Sequence, residues 1–270
     1  MPYRNAPYFI LVCIGVIVAG FWASYFSVYT AVPWQFHAHG VASSLWVLMV
    51  LAQSWTPHHG QLALHRAVGK SSLLLFPFLI GGLFAIIDVT AKGFVAADSP
   101  VRVRFGGEFL IGLALAAAAY CLLYYRALKF RRKVWVHSGY MLATPLILFE
   151  SPLSRVIGTW VPPFNAPSLD TVIPSIVSSM AISLVVVAAL WWVYRDKARP
   201  FLVASVFIAA QMLTMGLMSH NPALEAMLRL LAGVPSTVMV LAGMALGAVV
   251  CWAGWQAGKR PATVKATVTV

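Results

Sequence analysis

The chain reads as a succession of apolar stretches of helical length separated by short polar or proline-marked breaks. Taken in order, the stretches run Tyr8 to Tyr29, Gln35 to Trp55, Ser71 to Val89, Phe105 to Tyr125, Trp135 to Glu150, Val172 to Tyr194, Pro200 to Met218 and Val234 to Trp255. Most are close to the ~20 residues that a helix needs to cross hydrocarbon, the fifth being short. Inside a bilayer only a helix or a closed barrel satisfies its own backbone, so continuous apolar runs predict helices. The pattern therefore predicts an all-α polytopic transmembrane helix bundle of about eight spans. Residues 1–258 form a single integral membrane domain, and residues 259–270 form a polar tail. The first stretch is longer than a signal-peptide core and is read as a span. Prolines at 152, 162, 163 and 167 predict that the fifth span stops near Glu150, followed by a surface loop with a short interfacial helix around Leu153 to Trp160. A second short interfacial helix is expected at Pro222 to Leu231.

Composition supports this reading. Apolar residues make up 61% of the chain and charged residues 10%, against roughly a quarter charged in soluble domains. The net charge of +12 belongs to short basic connections such as RALKFRRK (Arg126 to Lys133), which points to membrane topology and not to nucleic acid. With both termini cytoplasmic, fourteen Lys/Arg fall inside and five outside: Lys92, Arg102, Arg104, Arg155 and Arg229. That asymmetry fits the positive-inside rule and predicts a multi-pass protein of the bacterial inner membrane. Cys13, Cys121 and Cys251 all lie in apolar runs without metal-type spacing and read as packing residues. GMALG (Gly243 to Gly247) and GWQAG (Gly254 to Gly258) permit close helix approach, and with it a homo-oligomer.

The chemistry concentrates at the ends of the spans. Five of the seven histidines lie between Phe36 and Lys70: His37, His39, His58, His59 and His65. The topology places His37, His39, His220, Asp88, Glu108 and Glu150 in one outer layer, with Arg155 as a neutralising partner for Glu150. From that layer His37, His39, Asp88, Glu150 and His220 are the candidate metal ligands. On a regular helix the two rings of His37-Ala38-His39 point about 200° apart and cannot share a ligand, whereas a non-helical entry after Pro33 would let them. His65 and His137 form an inner layer, about a membrane thickness away. Two neutral imidazoles on facing helices are what axial ligation of haem b needs, with Arg66 or Lys70 able to pair with propionates. His58-His59 reads as a solvated turn. No Gly-rich phosphate loop, CxxC, CxxCH, HExxH or GxSxG occurs.

His37-x-His39, Leu45-Trp46, Gln53, Leu64-His65-Arg66 with Gly69, and the later Val136 to Thr144 stretch with Arg155 together resemble a family of bacterial inner-membrane proteins to which no activity is assigned. The resemblance covers roughly residues 30 to 160. A more distant likeness, to b-type transmembrane cytochromes, rests on histidines at span ends. The expectation is a membrane protein that holds haem b or a transition metal for redox chemistry, working with a redox partner or a small-molecule substrate. The alternatives are a small transporter for a cation, a proton or a lipid-like solute, built on the intramembrane carboxylates, and a non-catalytic assembly subunit.

Overall fold

A computed structural model describes residues 2–259 apart from 166, 167 and 219. The polar tail beyond Lys259 lies outside the described residues. Among those described there is no strand. The helices are α1 (Ala6–Phe21), α2 (Trp34–Trp55), α3 (Leu62–Ala96), α4 (Pro100–Lys129), α5 (Val134–Trp160), α6 (Val172–Tyr194), α7 (Arg199–Leu217), α8 (Pro222–Ala232) and α9 (Ser236–Ala257). Four segments are long and apolar enough to cross a membrane: Leu62–Ala96, Pro100–Lys129, Leu169–Met215 (which contains both α6 and α7) and Ser236–Ala257. Large apolar side chains such as Phe9, Val185, Trp192, Val206 and Leu217 point outward, each more than two-thirds exposed. A helix bundle with such an exterior belongs in lipid.

The long helix α3 is the centre of the bundle. On one side α2 runs antiparallel to it in a register that can be followed from end to end. Gln35 meets Asp88, His39 meets Gly82, Trp46 meets Phe76, and Gln53 meets His65 and Gly69. On another side α9 runs antiparallel. Gly243 faces Ile80 and Phe84, and Gly247 faces Phe76 and Pro77. A Cβ on Gly247 would lie 2.7 Å from Pro77 Cα, closer than a methyl and a backbone atom can approach. GMALG is thus spent inside the chain, on α3. GWQAG is spent in the same way, on Leu128 of α4 and on the α4–α5 connection at Arg131.

Prolines inside these helices free carbonyls, and side chains take them up. Pro77 leaves Leu73 O without its i+4 partner, and the Cys251 thiol donates to it at 3.5 Å. Pro145 frees Met141 O, which accepts from Thr144 Oγ1 at 2.8 Å. The same Thr144 Oγ1 accepts from Trp46 Nε1 at 2.9 Å, and Tyr120 donates to Thr144 O at 2.8 Å. Trp46, Phe76, Tyr120 and Tyr124 pack around this point and form the middle of the core.

Two expectations about segment ends need correcting. Instead of stopping near Glu150, α5 continues through Pro152 to Trp160. A proline inside a helix removes one N–H donor and kinks a helix as readily as it ends one; here α1 packs directly on it, since a Cβ on Gly20 would overlap the Pro152 carbonyl. The first stretch, conversely, is not one helix to Tyr29. It leaves α1 after Phe21 and turns into a 3₁₀ segment, Phe26–Ala31, because Tyr25 is drawn to α2. The expected short helix after α7 is present as α8, capped by Asn221 Oδ1, which accepts from the backbone N–H groups of Ala223 and Leu224.

Candidate functional site

The polar residues fall in two layers at opposite ends of the bundle. His65 and Asp88 sit 23 residues apart on α3, which at roughly 1.5 Å per residue is about 34 Å. His137 and Glu150 are similarly separated along α5, by about 20 Å.

The polar residues at the Asp88 end fall into arrangements around Asp88, His37 and His220, with Glu108 apart from all three. The first is built on α3. Asp88 is fully buried, with Oδ1 2.6 Å from Lys92 Nζ, one helical turn on, while Oδ2 accepts from Gln35 Nε2 at 3.1 Å. Lys92 also donates to Ser236 Oγ at 2.6 Å. Gln35 Oε1 is buried without a partner. Three helices are pinned together by this one carboxylate. Lys92 was readable as an i+4 partner of Asp88; drawing the span to end at Val89 hid it. Gln35 and Ser236 carried no such signal.

The second arrangement lies between α2, α5 and the 3₁₀ segment. Both histidines of the His37-Ala38-His39 motif are within α2, so the rings diverge as helical geometry requires. His37 Nδ1 is hydrogen-bonded to Tyr25 Oη at 2.9 Å, and its ring packs 4.4 Å from that of Tyr29. His39 has Ser43 Oγ 3.4 Å away, and its backbone lies against Gly82. Glu150 is half-buried, and Arg155 lies in the same region, near enough to act electrostatically on both Glu150 and His39. The expected Glu150–Arg155 ion pair does not form: at i+5 the two side chains leave α5 in different directions, and Arg155 Nη1 donates instead to Ser151 O and Oγ, both at 2.8 Å. Its guanidinium carbon stands 4.8 Å from the Phe21 ring.

The third arrangement holds His220. With Arg104, Asp170 and Met215 it lines a cavity of ≈300 Å³ between the start of α4 and the end of α7. The Arg104–Asp170 ion pair, 2.7 Å, holds the exposed Asp170 carboxyl below the usual carboxylate range. Glu108 is separate again: it is buried in α4 with Oε1 unpartnered. Among the described residues no group of three or more His, Cys, Asp or Glu side chains could hold a metal ion. His37, His39, Asp88, Glu150 and His220 therefore do not converge on one centre, because Lys92, Tyr25 and the pocket at Arg104 take three of them in different directions.

The inner layer is simpler. His137 Nδ1 lies 2.9 Å from Ala127 O. A carbonyl only accepts, so Nδ1 carries the proton and Nε2 keeps its lone pair. His65 is half-buried, with Nδ1 enclosed and unpartnered, while Gln53 donates to its backbone carbonyl at 3.0 Å. The two imidazoles stand within electrostatic range of each other, from α3 and α5. Arg66 is exposed beside them. A ligating histidine commonly donates its second N–H to a backbone carbonyl, which is the arrangement at His137. His58 and His59 sit in a 3₁₀ turn, where His59 stacks on Trp55 at 4.3 Å.

Compared with models of protein families, with curated proteins and with solved structures, the chain finds no match.

Proposed function

We propose that the protein is a multi-pass bacterial inner-membrane redox protein that holds haem b, or a single transition-metal ion, between His65 and His137. The observation that carries this reading is the inner imidazole pair: one ring oriented by Ala127 O with Nε2 free, the other enclosed with a nitrogen unspent. An enclosed nitrogen without a partner is costly, and a ligand would satisfy it. Arg66, at the helix start, suits the propionates that haem carries at the membrane edge. Bound haem supplies a one-electron couple; the chain's part is to orient His137, shield His65 and set the polarity around both.

The topology belongs to the same proposal. The eight helices longer than α8 serve as spans, both termini are cytoplasmic, and the His65–His137 end faces the cytoplasm. This is supported by the excess of Lys/Arg in the connections at that end. The resemblance in the LHR-x-x-G region agrees with the choice of His65 and Arg66. The test is an absorption spectrum with metal analysis of the purified protein. A Soret band, or one metal per chain, lost in His65→Ala and in His137→Ala, is the expected result. Neither band nor stoichiometric metal would overturn the reading.

A second reading, transport of a cation or proton, is favoured by Glu150 and Arg155 lying near each other without pairing, and by the unpartnered Oε1 of Glu108. Ionisable groups at membrane depth mark pathways by default. Proton or cation flux into liposomes that is unchanged in Glu150→Gln and Glu108→Gln would exclude it.

A further inference from the structure

A second cavity is lined by hydrogen-bond donors and by neither His65 nor His137. It is a groove of ≈860 Å³ at the end of the bundle where α1 begins and α2 turns into α3, lined by Arg4, Asn5, Pro7, Tyr8, Trp55, His58 and His59. We propose that this groove binds the phosphate group of an organophosphate. The proposal stands independently of the redox reading.

Four observations support it. First, the lining contains donors and no carboxylate: the Arg4 guanidinium, the Asn5 amide and the His58 imidazole. Secondly, these donors are unspent. Among the described residues Arg4 forms no ion pair, Asn5 does not cap α1 with its side chain, and His58 has no hydrogen-bond or ring partner. His59 is already spent: its Nδ1–H donates to Trp55 O at 3.0 Å, which leaves a lone pair on Nε2, so the ligand's donors are Arg4, Asn5 and His58. Thirdly, the segment that carries Arg4 is held in place. Tyr3 is buried with φ +51°, its ring packed against Trp135, Tyr194 and Phe201 and its hydroxyl donating to Lys197 O at 2.6 Å. Arg4 is therefore set at the groove's edge before any ligand arrives, which lowers the ordering cost of binding. Fourthly, the wall is apolar and aromatic: Tyr8 and Trp55 are 61% and 41% exposed, and Pro7 is buried between them and the bundle. Charged donors beside exposed aromatic rings match a ligand with a phosphate at one end and an organic body at the other.

The size of the groove narrows the ligand class. Sites for ligands of several hundred daltons run to about 300–1,000 Å³. The groove is in that range, far larger than a bare phosphate requires. Its occupant is an organophosphate, either a phospholipid headgroup with its glycerol or a soluble phosphate ester.

Native mass spectrometry of the delipidated full chain, titrated with phosphatidylglycerol or phosphatidylcholine, tests this. The wild type is expected to bind one phosphatidylglycerol about tenfold more tightly than phosphatidylcholine, a difference one charged contact supplies. The Arg4→Gln/His58→Gln variant should fall below a twofold preference, and the thermal unfolding midpoint monitors its fold. Should the double variant unfold, Arg4→Gln alone carries the test, since Arg4 is exposed. Arg132→Gln, in the basic α4–α5 connection, should keep the full preference. No preference in the wild type, or an equal loss in Arg132→Gln, would overturn the proposal, the second by showing a diffuse basic end and no site. Displacement of phosphatidylglycerol by millimolar glycerol 3-phosphate assigns the groove to a soluble ester; retention assigns it to the bilayer lipid.

Discussion

Removing the Lys92 charge tests whether the outer end of α3 is built on a buried ion pair. Asp88 is 0% exposed and Lys92 36%. In Lys92→Met the carboxylate keeps neutral partners, Gln35 and the neighbouring Ser236, and loses the cation paired with it. Breaking a fully buried pair by deleting one partner costs about 3–5 kcal/mol. Here the lysine end is open to water by a third, and water can partly replace it. The expected loss is therefore about 2–3 kcal/mol. For a chain of this size that is a fall in Tm of about 4–12 °C. Asp88→Asn/Lys92→Met removes both charges together and leaves only hydrogen-bond terms, so its cost should be about 1 kcal/mol. The assay is thermal unfolding in detergent followed by tryptophan fluorescence, with the two single variants and the double variant forming a cycle. A double variant no more stable than Lys92→Met would refute the reasoning, as would a single variant within about 0.5 kcal/mol of wild type.

Other substitutions probe the helix contacts. Gly247→Ala should lower stability by about 1–2 kcal/mol, because overpacking against Pro77 outweighs the helix-propensity gain; Gly15→Ala, with nothing within 4 Å of its Cβ, should raise it by about 0.5–1 kcal/mol. Unfolding midpoints moving in the same direction for both would contradict the packing argument. Gly20→Ala should push α1 off Pro152 and make α1 the first segment cut by limited proteolysis; an unchanged cleavage pattern counts against the contact. Thr144→Val leaves the Trp46 indole N–H unpaired in the core and should cost about 1–3 kcal/mol, read from chemical unfolding and from a shift in tryptophan emission.

Hydropathy read some of the helices closely and others only in part, and the reason differs between elements. The stretch Val172 to Tyr194 coincides with α6, and Gln35 to Trp55 with α2. For α3 hydropathy marked Ser71 to Val89, while the helix runs from Leu62 to Ala96. It registers only residues facing hydrocarbon, whereas α3 continues past them on polar residues such as Lys70 and Lys92. Pro152 predicts a stop, yet α5 continues through it with Gly20 of α1 packed on its carbonyl, a contact that local sequence does not reveal. The two polar layers follow from the order of the spans. Which residues pair within a layer does not, since His37 with Tyr25, or Gln35 with Asp88, depends on helix rotations that apolar periodicity leaves open when both faces are apolar. Arg155 shows the limit: it stands close enough to act on Glu150, but helical phase gives its hydrogen bonds to Ser151 and its ring contact to Phe21.

The contact between α3 and α9 also has a consequence for synthesis. Ser236, Gly243, Gly247 and Cys251, which complete one whole side of α3, follow it in the chain by about 140 residues or more. About 140 residues separate Lys92 from Ser236, and at roughly 5–20 residues per second the ribosome needs about 7–28 s to bridge them. For that time Leu73 O and the Lys92 ammonium wait in the membrane without their last partners, and the groove beside Gly81 is filled by lipid or by an insertion factor. Chains that stop before α9 should consequently be recognised by membrane proteases as unfinished, and pulse-chase labelling of a chain ending at residue 235 should show it degraded while the full-length protein persists.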